Sequence, residues 1–190
     1  MKQKSKIEPG ADMSRTHHRS FFWAAFLFVL SAVSLHAQNR TREISVAVGA
    51  MQYDASGTGT APIIALRTST PFGTPWLLGE ASFSYAALNE QFTSVPTRVG
   101  VAEGQVQLQW PAEKVRPYLG LGGGWLHYFN NSVGRASTPA TISGAVGLRF
   151  AAAPRVNARA ELRLRGWGEG ASSSFVNTAA EWTAGVAYAF

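Results

Sequence analysis

The chain has 190 residues, no cysteine and a formal net charge of +6. That length suits one domain, and without cysteine neither a disulfide framework nor a thiolate metal site is available. Glycine, tryptophan and phenylalanine are plentiful, yet overall hydropathy is close to neutral, well below that of a protein built of membrane-spanning helices.

The positive charge is unevenly placed. Residues 1–37 read as a cleaved signal peptide: Lys2, Lys4, Lys6, Arg15 and Arg19 precede an apolar run from Phe21 to Leu35, and Ala37 is a small residue suited to cleavage before Gln38. The apolar run is shorter than the roughly 20 residues a spanning helix needs. A retained anchor is the alternative, and Met13 offers a start that shortens the basic leader. Residues 38–190 then carry 12 basic and 9 acidic side chains, a net +3, with Lys114 the lone lysine. No basic cluster interleaves with aromatics, so a nucleic-acid partner is not indicated.

From there the chain alternates with a period of two, broken by Gly, Pro, Asn and Ser clusters. Strand one is expected over 43–53, with Ile44, Val46, Val48 and Ala50 on one face, and strand two over 62–69. A turn at 70–75 leads to strand three, 76–87, which sets Leu77, Ala81, Phe83 and Tyr85 against Glu80, Ser82 and Ser84. Strand four, 98–110, opposes Ala102, Val106, Leu108 and Trp110 to Glu103, Gln105, Gln107 and Gln109. The segment 111–116 reads as a turn. Strand five, 117–129, carries Leu119, Leu121 and Trp125 opposite Gly120, Gly122 and Gly124.

Strand six, 141–150, and strand seven, 155–166, flank a turn at 151–154. Strand seven places Val156, Ala158, Ala160, Leu162 and Leu164 against Asn157, Arg159, Glu161, Arg163 and Arg165. Strand eight covers 181–190. The polar breaks at 54–60, 88–97, 130–140 and 167–174 are long, whereas the three turns are short. That rhythm, with strands near 10 residues, predicts an all-β, eight-stranded antiparallel up-and-down transmembrane β-barrel.

In such a barrel the apolar faces meet lipid. The charged side chains Arg67, Glu80, Glu103, Arg149, Arg159, Glu161, Arg163, Arg165 and Glu181 are then expected to form a paired network in the lumen. A solvated outer face is the other reading of the strand-seven arginines. Eight strands leave an interior that side chains can fill, so the lumen reads as plugged. Gly120, Gly122 and Gly124 read as curvature and close packing. Trp76, Tyr85, Trp110, Tyr118, Trp125, Phe150, Trp182 and Phe190 lie near strand ends and are expected in interface girdles.

Chemistry is sparse. His127 is the sole histidine after residue 37, followed by YFNNS, and reads as a girdle or loop-base residue. No catalytic, cofactor-binding or metal-binding residue is assigned. Gly120 to Gly124 does not open a helix, so it is not a phosphate loop.

The last segment puts Trp182, Ala184, Val186, Tyr188 and Phe190 on one face and Glu181, Thr183, Gly185, Ala187 and Ala189 on the other. It resembles the C-terminal assembly signal of bacterial outer-membrane barrels, with Thr183, Gly185, Tyr188 and Phe190 at the polar, glycine, aromatic and terminal aromatic positions. The run PYLGLGGG from Pro117 to Gly124 is also similar to one common in these proteins. Residues 38–190 thus resemble the small eight-stranded outer-membrane barrel family, of the OmpA transmembrane-domain and OmpX type. The resemblance implies a non-enzymatic, monomeric structural or surface-interaction protein of a Gram-negative-type outer membrane. It implies no cofactor, and as partners outer-membrane lipid and lipopolysaccharide, with barrel assembly machinery and periplasmic chaperones during biogenesis. Two alternatives stand beside it. One is an outer-membrane lipid-modifying enzyme of the lipid A deacylase type, although Phe129 occupies the serine place of the His-x-Ser pairing in that group. The other is a secreted soluble barrel that binds a ligand in its mouth.

Overall fold

The computed structural model describes residues 42–53, 59–89, 96–129, 138–168 and 177–190. The expected signal peptide lies outside them. Eight strands run in chain order: β1 Glu43–Tyr53, β2 Thr60–Pro71, β3 Leu77–Asn89, β4 Pro96–Gln109, β5 Val115–Tyr128, β6 Ala140–Ala153, β7 Val156–Trp167 and β8 Asn177–Ala189. Each pairs antiparallel with its sequence neighbour, and β8 pairs with β1 to close the barrel. Closure leaves no strand edge unpaired.

The strands outrun the alternation that predicts them. β2 gains two residues at each end, and β8 begins at Asn177 because its ladder with β7 continues to Trp167. The segment 111–116 is only partly a turn, since Val115 and Arg116 already pair with Phe150 and Arg149 of β6. β6 likewise extends through Ala153, with a register shift between Ala151 and Ala153. Pairing geometry extends a strand wherever the neighbouring strand supplies partners, whatever the local pattern.

The three tight turns gather at one end of the barrel, together with Arg42 and Phe190, whose backbones exchange hydrogen bonds of 3.0 and 2.9 Å. In the first turn Gly73 adopts a φ of 71°, a conformation side chains disfavour. The strand ends that border the four wide connections lie at the opposite end.

The radial pattern is inverted relative to a soluble protein. Ile44, Val46, Val48, Ile64, Val106, Leu121, Ile142, Leu164 and Val186 are exposed on the outside, Leu121 by 75%. Glu80, Glu103, Arg149, Arg163, Arg165 and Glu181 are buried inside. Exposed Trp76, Trp110, Phe150, Tyr188 and Phe190 ring the short-turn end, and Trp125, Phe129 and Trp182 the wide-loop end. An aliphatic band between two aromatic rings suits an apolar surrounding medium with two polar interfaces. Among the described residues no helix is long and apolar enough to cross a membrane.

Candidate functional site

The lumen holds the densest chemistry in the chain. Alternation on each strand sends every second residue inward, and barrel closure brings five arginines and five glutamates together there. All nine charged residues expected inside are buried: Arg67, Glu80, Glu103, Arg149, Arg159, Glu161, Arg163, Arg165 and Glu181. Glu43 joins them from the start of β1. The nine alone carry one excess positive charge; Glu43 makes the described set neutral.

Glu161 is the hub. Its carboxylate meets Arg67 at 3.0 Å, Arg159 at 2.5 Å and Arg163 at 2.9 Å, and accepts the Tyr118 hydroxyl at 2.6 Å. Glu80 on the facing wall pairs with Arg159 and lies 3.3 Å from Arg163. Nearer the wide-loop end, Glu103 holds Arg165 at 2.8 Å and Arg163 at 3.3 Å and accepts from Ser143, while Arg165 also pairs with Glu181. Neutral groups add to the shell: Arg67 donates to Thr183 at 3.0 Å, and Arg163 to Gln105 at 2.8 Å. Charges removed from water require this degree of mutual satisfaction, because desolvation otherwise outweighs their attraction.

Tyr118 departs from the sequence expectation. It is not a girdle residue: it points inward and is 1% exposed. Arg149 and Arg159 stack on its ring at 5.1 and 5.0 Å, and its oxygen accepts from Arg159 Nε at 2.7 Å. Its position opposite Leu119 and Leu121 on β5 already implied this, but its nearness to a turn suggested the girdle. Room for the ring comes from its cross-strand partner Gly147, where an added Cβ would strike the phenol.

The glycines of β5 serve the same packing. A Cβ at Gly122 would sit 2.6 Å from the Glu103 carboxylate, and one at Gly120 would overlap the Gln105 amide. The space they leave is filled by β4 side chains.

The charged network does not fill the whole length of the lumen. Toward the wide-loop end Met51, Ile63, Val99, Val101, Leu126, Tyr128 and Trp167 form a buried apolar layer inside the barrel. Tyr53 packs against it, 5.4 Å from the Trp167 ring, and its hydroxyl bonds that of Tyr128 at 2.6 Å. Val99 and Val101 share a face with Glu103, so the inward stripe of one strand changes character along its length.

His127 stands outside the lumen near the wide-loop end. Its Nδ1 lies 2.9 Å from the Thr138 hydroxyl and its ring meets Phe129 edge-on at 5.0 Å. Of the expected assembly signal, Thr183 and Gly185 face inward, whereas Tyr188 and Phe190 are exposed on the outer surface.

A closed eight-stranded barrel with aliphatic exterior, aromatic rings and charge-paired interior defines the class: this is the fold of the small eight-stranded outer-membrane barrel family. Solved structures agree. The chain is similar to Neisserial surface protein A, with a TM-score of 0.65 at 14% identity over 78% of this chain and 97% of that one. It is similar to the outer membrane protein OprG from Pseudomonas aeruginosa, with a TM-score of 0.53 at 10% identity over 82% and 97%. It is also similar to the outer membrane enzyme PagL, with a TM-score of 0.50 at 14% identity over 77% and 98%. No protein-family model and no curated protein matches the sequence.

Proposed function

We infer that this is a non-enzymatic integral protein of a Gram-negative-type outer membrane, with a structural or surface-interaction role. The observation that carries the reading is the inverted barrel: aliphatic side chains outside, a neutral set of paired charges inside. In water this exterior is a liability; in lipid it is the required surface. By this reading the short turns face the periplasm and the wide connections face outward, where lipopolysaccharide and other surface partners are met. The lumen is closed twice, by the ion-paired layer and by the apolar layer above it, so the barrel is a rigid support and not a pore. Thr183, Gly185, Tyr188 and Phe190 are assigned to recognition by the assembly machinery, after chaperone escort across the periplasm.

Cell fractionation of the full chain tests the reading. The protein is expected in the outer-membrane fraction, with heat-modifiable migration in detergent gels and β-rich spectra only in micelles. Ready solubility without detergent after processing would sink it and favour the soluble ligand-binding barrel.

One observation favours a second reading, a lipid-modifying enzyme. His127 and Thr138 form an imidazole–hydroxyl pair on the outer wall of the barrel, the minimal parts of a nucleophile and its base. Incubation with lipopolysaccharide decides it: unchanged acylation excludes the enzyme, and a change lost in both His127→Ala and Thr138→Ala supports it.

A further inference from the structure

At the short-turn mouth the barrel opens into a cavity of about 690 Å³, walled by Arg116, Arg149, Glu43, Gln109, Asn157 and Thr74 among others. The ion-paired layer forms its floor, so it is a blind vestibule. Its volume falls in the ~300–1,000 Å³ range of small-molecule sites.

The charges on its wall are not balanced locally. Arg116 and Arg149 are direct partners in the β5–β6 ladder, and Arg159 is the next residue across on β7. Like charges facing one another across a ladder destabilise a sheet. Arg159 is neutralised by Glu80 and Glu161. Arg149 instead gives both terminal amino groups to uncharged acceptors, Gln109 and Gln107, each at 2.7 Å. Its nearest carboxylates, Glu43 and Glu80, stand off at 3.8 Å, and Glu43 already accepts from Asn157 at 2.6 Å. The buried Arg149 Nε has no hydrogen-bond acceptor, and neither does the buried Thr74 hydroxyl on the same wall. Arg116 is half-buried with no ion-pair partner among the described residues. Exposed Lys114 and Arg155 flank the mouth, with Glu113 the exposed acid beside them.

We propose that this vestibule binds a small anion bearing a phosphate or carboxylate group, held by Arg116 and Arg149 with Thr74 and Gln109 as neutral contacts. A bound anion supplies the charge that the Arg116–Arg149 pair lacks. The inference rests on the barrel alone and stands whether or not the barrel spans a membrane.

The test titrates inorganic pyrophosphate into the full chain refolded in an uncharged detergent, followed by calorimetry and by the arginine Nε–H resonances. Saturable one-to-one binding is expected, weakened about tenfold by Arg116→Gln and changed less than about twofold by Arg155→Gln. A second arm repeats the titration in zwitterionic nanodiscs with and without phosphatidylglycerol. Equal affinity in both assigns the vestibule to soluble anions. Competition by the anionic lipid, with Arg116 resonances displaced as pyrophosphate displaces them, assigns it to headgroup phosphate, and either result supports the site. Absence of saturable binding, or binding indifferent to Arg116→Gln, overturns it. Should Arg116→Gln fail to refold, the unsubstituted protein decides: Arg116 and Arg149 resonances that stay fixed at saturation overturn the proposal.

Discussion

Tyr118 and Glu161, 43 residues apart in sequence, are joined in the lumen by a 2.6 Å hydrogen bond from the phenol to the carboxylate that also anchors three arginines. Strand β5 supplies the phenol and β7 the carboxylate, with β6 between them. The bond therefore spans two strand widths, and it exists because Gly147 on β6 leaves the ring room to cross.

Glu161→Gln removes the charge on which Arg67, Arg159 and Arg163 converge. Leaving buried arginines without their counter-charge costs about 3–5 kcal/mol. Tyr118→Phe, which loses the donor to Glu161 and the acceptor of Arg159 Nε but no charge, costs about 1–3 kcal/mol. Urea unfolding of the refolded barrel in micelles, followed by tryptophan fluorescence, measures both. A double-mutant cycle separates their coupling, and equal losses for the two single variants would contradict the hub assignment.

Gly147→Ala places a methyl group against the Tyr118 ring. Overpacking of this kind costs about 1–3 kcal/mol. The penalty is expected to fall below about 0.5 kcal/mol in a Tyr118→Ala background, because the two positions share one space. A penalty independent of residue 118 would point to strain in the β6 backbone instead.

Two closures in series predict how the barrel conducts. Arg163→Ala with Arg165→Ala opens the ion-paired layer but leaves Val101, Leu126 and Trp167 across the lumen, so planar-bilayer conductance stays at baseline. Leu126→Ala with Trp167→Ala alone leaves the charged layer shut. All four substitutions together are needed for conductance to rise. A rise from the arginine pair alone would show that the apolar layer is not a barrier.

Phe190 is 55% exposed on the outer rim, and its backbone bonds with Arg42 do not depend on its side chain. Phe190→Ala is therefore expected to lower outer-membrane yield several-fold while shifting the stability of refolded protein by less than about 1 kcal/mol. Parallel losses of yield and stability would make the residue a structural one and remove its part in the assembly signal.

The strand periodicity carried much of this. Period-two alternation already states which residues share a face, and Glu103, Gln105, Gln107 and Gln109 occupy one face of β4 both as read and as folded. Arg116 was not legible, because Pro111, Lys114 and Pro117 suggest a turn while β6 supplies the partners that extend β5 past it. Glu43 was legible by its alternation with Ile44 but sits at a strand start, where pattern is weakest. The apolar layer around Leu126 was missed because seven strands contribute only one or two residues each to it and β6 none, too few to register as a stripe of its own.

From sequence alone come the eight strands, the rhythm of wide and tight connections, and the sorting of side chains into two faces, because these follow from local geometry and a repeat of two. Only the closed barrel decides who meets whom: that Arg165 finds Glu103 and Glu181, that Tyr118 reaches Glu161, and that Arg116 and Arg149 stand side by side on the wall of a cavity. Those pairings depend on strand stagger and on β8 returning to β1. That is a property of the whole sheet, which no single strand encodes.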